Sequence, residues 1–123
     1  MYTLDTNAII YFIKDDSSTV STLNDIFSKY TSVYISSITE VELFSFPSIT
    51  SQEGQRIEKF LSIVSIIPLN SQLARIAGAI RKTYHLKIAD SIIAATAMFT
   101  GSTLVTRNVK DFNKIPNLLL RDI

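Results

Sequence analysis

Cysteine is absent from the 123 residues, which excludes disulfides, thiolate metal sites, iron–sulfur clusters and a cysteine nucleophile, and suits a reducing compartment. There is a single histidine, His85, so an imidazole metal cage within one chain is impossible, and a Ser-His-Asp triad would hang on that residue. The three glycines (Gly54, Gly78, Gly101) are far apart, leaving neither a P-loop nor a GxGxxG turn. Apolar runs such as Ile92 to Phe99 fall well short of the roughly 20 residues of a membrane helix. The start, Met1-Tyr2-Thr3-Leu4-Asp5, lacks the basic leader of a signal peptide, so the expected location is the cytoplasm, with no membrane contact. Chemistry is left to carboxylates, hydroxyls, amides and basic groups.

What remains is a chain that is 46% hydrophobic, enough for one globular domain over residues 1–123. Net charge is +1 but unevenly placed: residues 1–74 carry net −4 and residues 75–123 net +5. The asymmetry fits either a polyanionic partner at the C-terminal half or solvated helix faces.

Short β-rich runs alternate with helical patterns. Tyr2 to Leu4, Val33 to Ser36, Ile66 to Leu69, Thr103 to Thr106 and Leu118 to Leu120 read as strands. Pro68 marks the third as an edge strand, because proline cannot donate to a central ladder. Helices are expected at Asn7 to Lys14 and along the stripe Val20, Leu23, Phe27, Tyr30. Another starts at Ser37 or Thr39, each followed three residues later by a glutamate, and stops before Pro47. Thr50 and Glu53 repeat the capping signature ahead of Ile57, Phe60, Leu61 and Val64. Leu73 to Tyr84 and Ile88 to Thr100 supply two more, the latter closed by Gly101. Phe27, Tyr30, Phe60 and Tyr84 lie on these stripes and read as core or dimer contacts. The alternation predicts an α/β fold: a central parallel sheet of about five short strands flanked by helices, a three-layer sandwich.

In such folds sites collect outside the carboxyl ends of the strands. Asp5 directly follows the first strand, Glu42 lies in the helix after the second, Asp90 opens the helix before the strand at 103, and Asn108 and Asp111 trail that strand. Crowded carboxylates repel, so a cluster of them points to a cation, and an all-oxygen set selects Mg²⁺ or Mn²⁺ over Zn²⁺. Each residue also has a plainer role. Asp5 could be only a helix N-cap, Glu40 or Glu42 could close a capping box, and Asp90 could be a first-turn acid favoured by the helix dipole. Asn108 and Asp111 could only shape a turn, and His85 reads as a surface or helix-end residue. Lys87, Arg107 and Lys110, beside these segments, are candidate phosphate contacts or solvated charges.

Four segments carry a resemblance: Leu4-Asp5-Thr6-Asn7, Ile38-Thr39-Glu40-Val41-Glu42-Leu43, Asp90-Ser91-Ile92-Ile93-Ala94-Ala95-Thr96-Ala97, and Leu104-Val105-Thr106-Arg107-Asn108-Val109-Lys110-Asp111-Phe112. In this order, the chain resembles the PIN-domain ribonucleases, specifically the VapC-like toxins of toxin–antitoxin pairs. The resemblance implies a PIN-like sandwich, an endoribonuclease using one or two Mg²⁺ or Mn²⁺ ions, an RNA substrate, a cognate antitoxin and a homodimer. It implies Asp5, Glu42 and Asp90 as metal-binding and catalytic acids, and phosphodiester hydrolysis by a metal-activated water. Many relatives carry aspartate where this chain has Asn108, so Asp111 becomes the alternative fourth ligand. Thr6, Asn7 and Thr106 are expected to orient the carboxylates by hydrogen bonding. Competing expectations are a structure-specific DNA nuclease, a non-catalytic RNA- or protein-binding domain, and a receiver-like phosphoacceptor. The last lacks its usual adjacent acidic pair.

Overall fold

A computed structural model describes all of residues 1–123. Five short strands form one sheet in the order β3-β2-β1-β4-β5, with every neighbouring pair parallel. They are β1 (Tyr2–Leu4), β2 (Val33–Ser36), β3 (Ser65–Ile67), β4 (Thr103–Thr106) and β5 (Leu120–Asp122). The helices are α1 (Thr6–Ile13), α2 (Ser17–Ser28), α3 (Ser37–Ser45), α4 (Ser51–Leu61), α5 (Ser71–Tyr84), α6 (Ile88–Thr100) and α7 (Val109–Phe112). The chain moves outward from β1 through β2 to β3, then returns through α5 and α6 to place β4 on the other side of β1. The reversal makes β1 the switch point of the sheet, where α/β proteins open a crevice.

Adjacent residues of a strand face opposite sides, and β4 shows the result: Val105 joins one apolar cluster and Leu104 the other. The first cluster packs Ile9 and Ile13 of α1, Leu23 and Ile26 of α2, and Ile57 and Phe60 of α4 against Leu4 and Ile35. Phe60 stacks edge-on to Phe27, centroids 5.8 Å apart. The second packs Leu73, Ala77 and Ile80 of α5 against α6, which is buried continuously from Ser91 to Ala97. Its alanines let α6 lie close between α5 and the sheet. The expected three layers are present.

Local signals explain most helix ends. Thr50 and Glu53 form the reciprocal capping box that starts α4. Gly101, with φ 63°, closes α6 in the left-handed region that glycine enters without cost. His85 closes α5 in the same conformation with φ 58°, which makes it a helix-end residue. The start of α3 differs from both expected registers: Ser36, the last residue of β2, is the N-cap, its hydroxyl accepting the Ile38 N–H at 3.2 Å. Glu40 and Glu42 therefore close no capping box.

Other differences are tertiary in origin. Leu120 to Asp122, two residues later than the expected strand, pair with Leu104 to Thr106 and make β5. Pro68 falls just after the observed β3, which is nevertheless the outermost strand. Tyr30 lies beyond the end of α2, at φ 51°, and is 99% exposed, so it is not a core residue. Thr19, Leu23 and Ile26 form the buried face of α2 instead. No helix is long and apolar enough to cross a membrane.

Leu104 is fully buried beneath α6, whereas Leu119 is 63% exposed. Leu104→Ala is expected to cost about 2–5 kcal/mol of unfolding free energy in urea titration, and Leu119→Ala no more than about 0.5 kcal/mol. Equal costs would mean that the layer between α6 and the sheet is not the close-packed core described.

Candidate active site

Register brings the first two site residues together. Leu4 of β1 pairs with Val105 of β4, so the residues that follow, Asp5 and Thr106, stand side by side where the strands end. Thr106 donates its hydroxyl to Asp5 Oδ2 at 2.6 Å and accepts the Asn108 N–H at 2.9 Å. Asp5 Oδ1 accepts the Ala8 N–H at 2.8 Å and caps α1. The capping role and a place in the acid cluster, alternatives in the sequence, coexist in one carboxylate with two oxygens. Asp5 is only 5% exposed, and burial raises its pKa; the bonds from Thr106 and Ala8 oppose the rise, and the charges of Asp90 and Glu42 add to it.

Glu42 reaches the site from the second turn of α3. Its Oε1 accepts the Thr6 hydroxyl at 2.6 Å, and the same hydroxyl lies 3.1 Å from Thr39 Oγ1. Thr39 and Glu42, three residues apart, share the helix face turned toward α1. Sequence reasoning saw Thr39 only as a possible cap. Its position one turn before Glu42 was the available signal that it faces inward.

Asp90 is the third residue of α6 and is half-buried. Burial raises its pKa, the charges of Glu42 and Asp111 raise it further, and nearby Lys87 lowers it. These couplings link all four acids: Asp5 feels Asp90 and Glu42, and Asp90 feels Glu42 and Asp111. Asn108 and Asp111 are bonded to each other, Asn108 Nδ2 donating to Asp111 Oδ2 at 3.0 Å, and Lys114 Nζ lies 3.9 Å from Asp111 Oδ1. Asn108 keeps its carbonyl oxygen as a donor to a cation, and Asp111 keeps the negative charge.

Of the three residues expected to orient carboxylates, Thr6 and Thr106 do so. Asn7 is exposed on α1 and its amide is bonded to none of the acids. Among the basic residues, Lys87 precedes α6 beside Asp90, and Lys110 is exposed on α7. Arg107 turns to α2: Nη2 donates to Asp16 Oδ2 at 2.6 Å, Nε donates to the Ile123 carbonyl at 3.1 Å, and the guanidinium lies 4.0 Å from the Tyr11 ring centre. That engagement, invisible in the sequence, employs Arg107 in joining α2 to the chain's end. Asp16 is held far below the usual carboxylate range by the bonds from Thr19 and Arg107.

The donor set fits a hard divalent cation: carboxylates and an amide carbonyl, all oxygen, with two acids whose ionised forms are disfavoured by burial and like charge. The acids are not drawn into a closed cage, and no group of three or more acidic or imidazole side chains is gathered tightly enough here to hold an ion unaided.

Comparison with known proteins identifies the family and the fold. The PIN domain pattern matches residues 2–118. The ribonuclease VapC2 of Rickettsia felis is 31% identical over 130 residues, covering 99% of this chain and 97% of the relative. The tRNA(fMet)-specific endonuclease VapC of Salmonella typhimurium is 30% identical over 131 residues, covering 98% and 96%. The crystal structure of VapBC2 from Rickettsia felis, bound to a DNA fragment from their promoter, matches with a TM-score of 0.83 at 30% identity, covering 99% of this chain and 98% of that one. Since both sequence and fold agree along nearly the whole length, the chain belongs to the PIN-domain family and is similar to its VapC ribonucleases.

Proposed function

We propose that this chain is a Mg²⁺- or Mn²⁺-dependent endoribonuclease that hydrolyses RNA phosphodiester bonds, the toxin of a toxin–antitoxin pair acting in the cytoplasm. The observation that carries the reading is geometric: Asp5 is held by Thr106 where β1 and β4 end side by side, and Glu42 is bonded to Thr6, the residue next to Asp5. The names of the ribonuclease relatives support the activity, and the toxin–antitoxin complexes among the similar structures support a cognate antitoxin. A homodimer follows from the resemblance to VapC-like toxins.

Asp5 and Asp90 would hold the cation, and Asp111 or the Asn108 carbonyl would add a further oxygen. A bound divalent ion supplies charge neutralisation at the phosphate and acidifies a water. Glu42, more exposed than Asp5 and steered by Thr6, is placed to take a proton from the attacking water. Thr106 holds Asp5 in one rotamer, so its orientation is set before substrate arrives. Lys87 and Lys110 flank the acids and offer charge to neighbouring phosphates. Asn108 does not favour a non-catalytic reading, because its partner Asp111 retains the fourth charge.

Purified protein incubated with total cellular RNA and Mg²⁺ or Mn²⁺ is expected to produce discrete fragments. EDTA abolishes them, and Asp90→Asn lowers the cleavage rate by about a hundredfold or more with the fold intact by circular dichroism. Activity within a few-fold of wild type in that variant removes Asp90 from the site.

Stability gives a second check. The folded-state pKa of Asp90 lies above its ordinary value of 3.8, so the folded protein holds this proton to higher pH than the unfolded chain does. Stability therefore falls as pH rises from about 3.8 through the raised value, and above it the ionised carboxylate disfavours the fold. In EDTA at pH 7, Asp90→Asn is expected to melt at a higher temperature than wild type, with the gain disappearing below pH 3.8. Added Mn²⁺ raises the melting temperature of wild type more than that of the variant. A lower melting temperature for the variant in EDTA contradicts the raised pKa.

A further inference from the structure

Beside Glu42 a pocket of about 290 Å³ opens between α1 and the C-terminal end of α3. Thr6, Asn7 and Ile10 of α1 face Glu42 and Ser45 of α3 across it, with Phe46, the residue that ends α3, and Pro47 beyond. Thr6 and Glu42 belong to both the pocket and the acid cluster, so the two spaces share a wall.

The lining selects among ligands. No lysine or arginine is present, and the one charged wall is a carboxylate, so a phosphate group is repelled. Ile10 is buried in the first apolar cluster, so the apolar surface open to a flat, neutral body comes from exposed Pro47 and from Phe46, which packs in part against that cluster. Ser45 spends its proton on the Glu42 carbonyl at 3.3 Å and keeps its lone pairs. Asn7 is exposed, and its amide carries an acceptor and two donors in one plane, the pattern that pairs with nucleobase edges. The volume lies at the lower end of ligand-sized cavities, which begin near 300 Å³, and suits a single base better than a whole nucleotide.

We propose that this pocket receives one unpaired nucleobase of the RNA strand next to the scissile phosphate, with Asn7 reading its edge and Phe46 stacking on its face. The assignment rests on the endoribonuclease reading above. It gives Asn7 a role in substrate choice in place of carboxylate orientation. Sequence preference in RNA cleavage arises in this way, from splayed bases stacked on rings and hydrogen-bonded at their edges.

The test titrates the ¹⁵N-labelled full chain with each of the four ribonucleosides, which carry no phosphate, and separately with inorganic phosphate and with butylamine as a probe for a lysine side chain. One nucleoside is expected to shift the Asn7 side-chain amide and the Phe46 backbone signal. Its affinity falls about tenfold in Asn7→Ala and in Phe46→Leu, which retains apolar bulk. Sequencing the ends of RNA fragments then shows the base preference at one position next to the cut relaxed in both variants. No nucleoside response, equal affinities in wild type and variants, or phosphate seating in the pocket overturns the proposal. So does butylamine filling it where nucleosides do not, which assigns the pocket to a basic arm of a protein partner. Nucleoside binding without RNA cleavage retains a base-binding pocket and removes the endoribonuclease reading, and with it the pocket's place beside a scissile phosphate. Cleavage with unchanged ends and no nucleoside binding does the reverse.

Discussion

The hydrogen bond from Thr106 to Asp5 is the contact on which the rest of the site depends. It is 2.6 Å long, shielded from water, and joins residues 101 positions apart. The parallel ladder continues to its edge, where the Asp5 N–H reaches the Val105 carbonyl at 3.3 Å. One carboxylate thus caps a helix, clasps two strands and contributes the most buried charge of the cluster. A buried carboxylate is tolerated only when its oxygens are bonded, and the Thr106 and Ala8 donors meet that condition. They do not remove the repulsion from Asp90 and Glu42. The fold therefore holds an unfavourable electrostatic arrangement at the one edge where its helices leave room, as expected when function and stability make opposing demands.

The position of Glu42 follows from a join with no loop. Ser36 ends β2 and caps α3 at once, so the helix begins directly at the strand's end. With that start, Thr39 falls inward against Thr6, and Glu42, one turn on, reaches the same hydroxyl. Either start expected from capping-box spacing would have made a glutamate serve the helix's own amides. The shorter junction frees Glu42 for contact with α1 and shapes the pocket next to it.

Much of this was legible in the residues. Strand-to-helix alternation located four of the five strands and met the fifth only at Leu120, and it placed Asp5 and Thr106 at neighbouring strand ends. Pro68 indicated the outermost strand although it lies just past it. What escaped detection depended on distant partners. The run Leu118 to Leu120 is as apolar as a strand should be, yet pairing with β4 selects Leu120 to Asp122. The single turn of α7 has too few residues for periodicity to register. Tyr30 kept the stripe's spacing but fell outside the helix, because spacing does not reveal where a helix stops. Asn108 and Asp111 looked like rivals for one role, when spacing of three across a short helix start lets them bond to each other.

The uneven charge of the two halves of the chain is partly resolved within the molecule. Arg107 and Arg121, from the basic half, pair with Asp16, the N-cap of α2, and with Asp25 within α2, from the acidic half, at 2.6 and 3.1 Å. Such exposed pairs contribute little stability individually, but these two tie the late strands β4 and β5 to an early helix and hold the C-terminal edge in register. Lys87 and Lys110 take part in no ion pair and border the acid cluster. At that edge the carboxylates stand against these two lysines and Lys114, whose Nζ lies 3.9 Å from Asp111 Oδ1. The net charge of the half-chain is therefore the wrong quantity to read. The charges left over after the fold has satisfied its own pairs decide where a backbone of phosphates can lie.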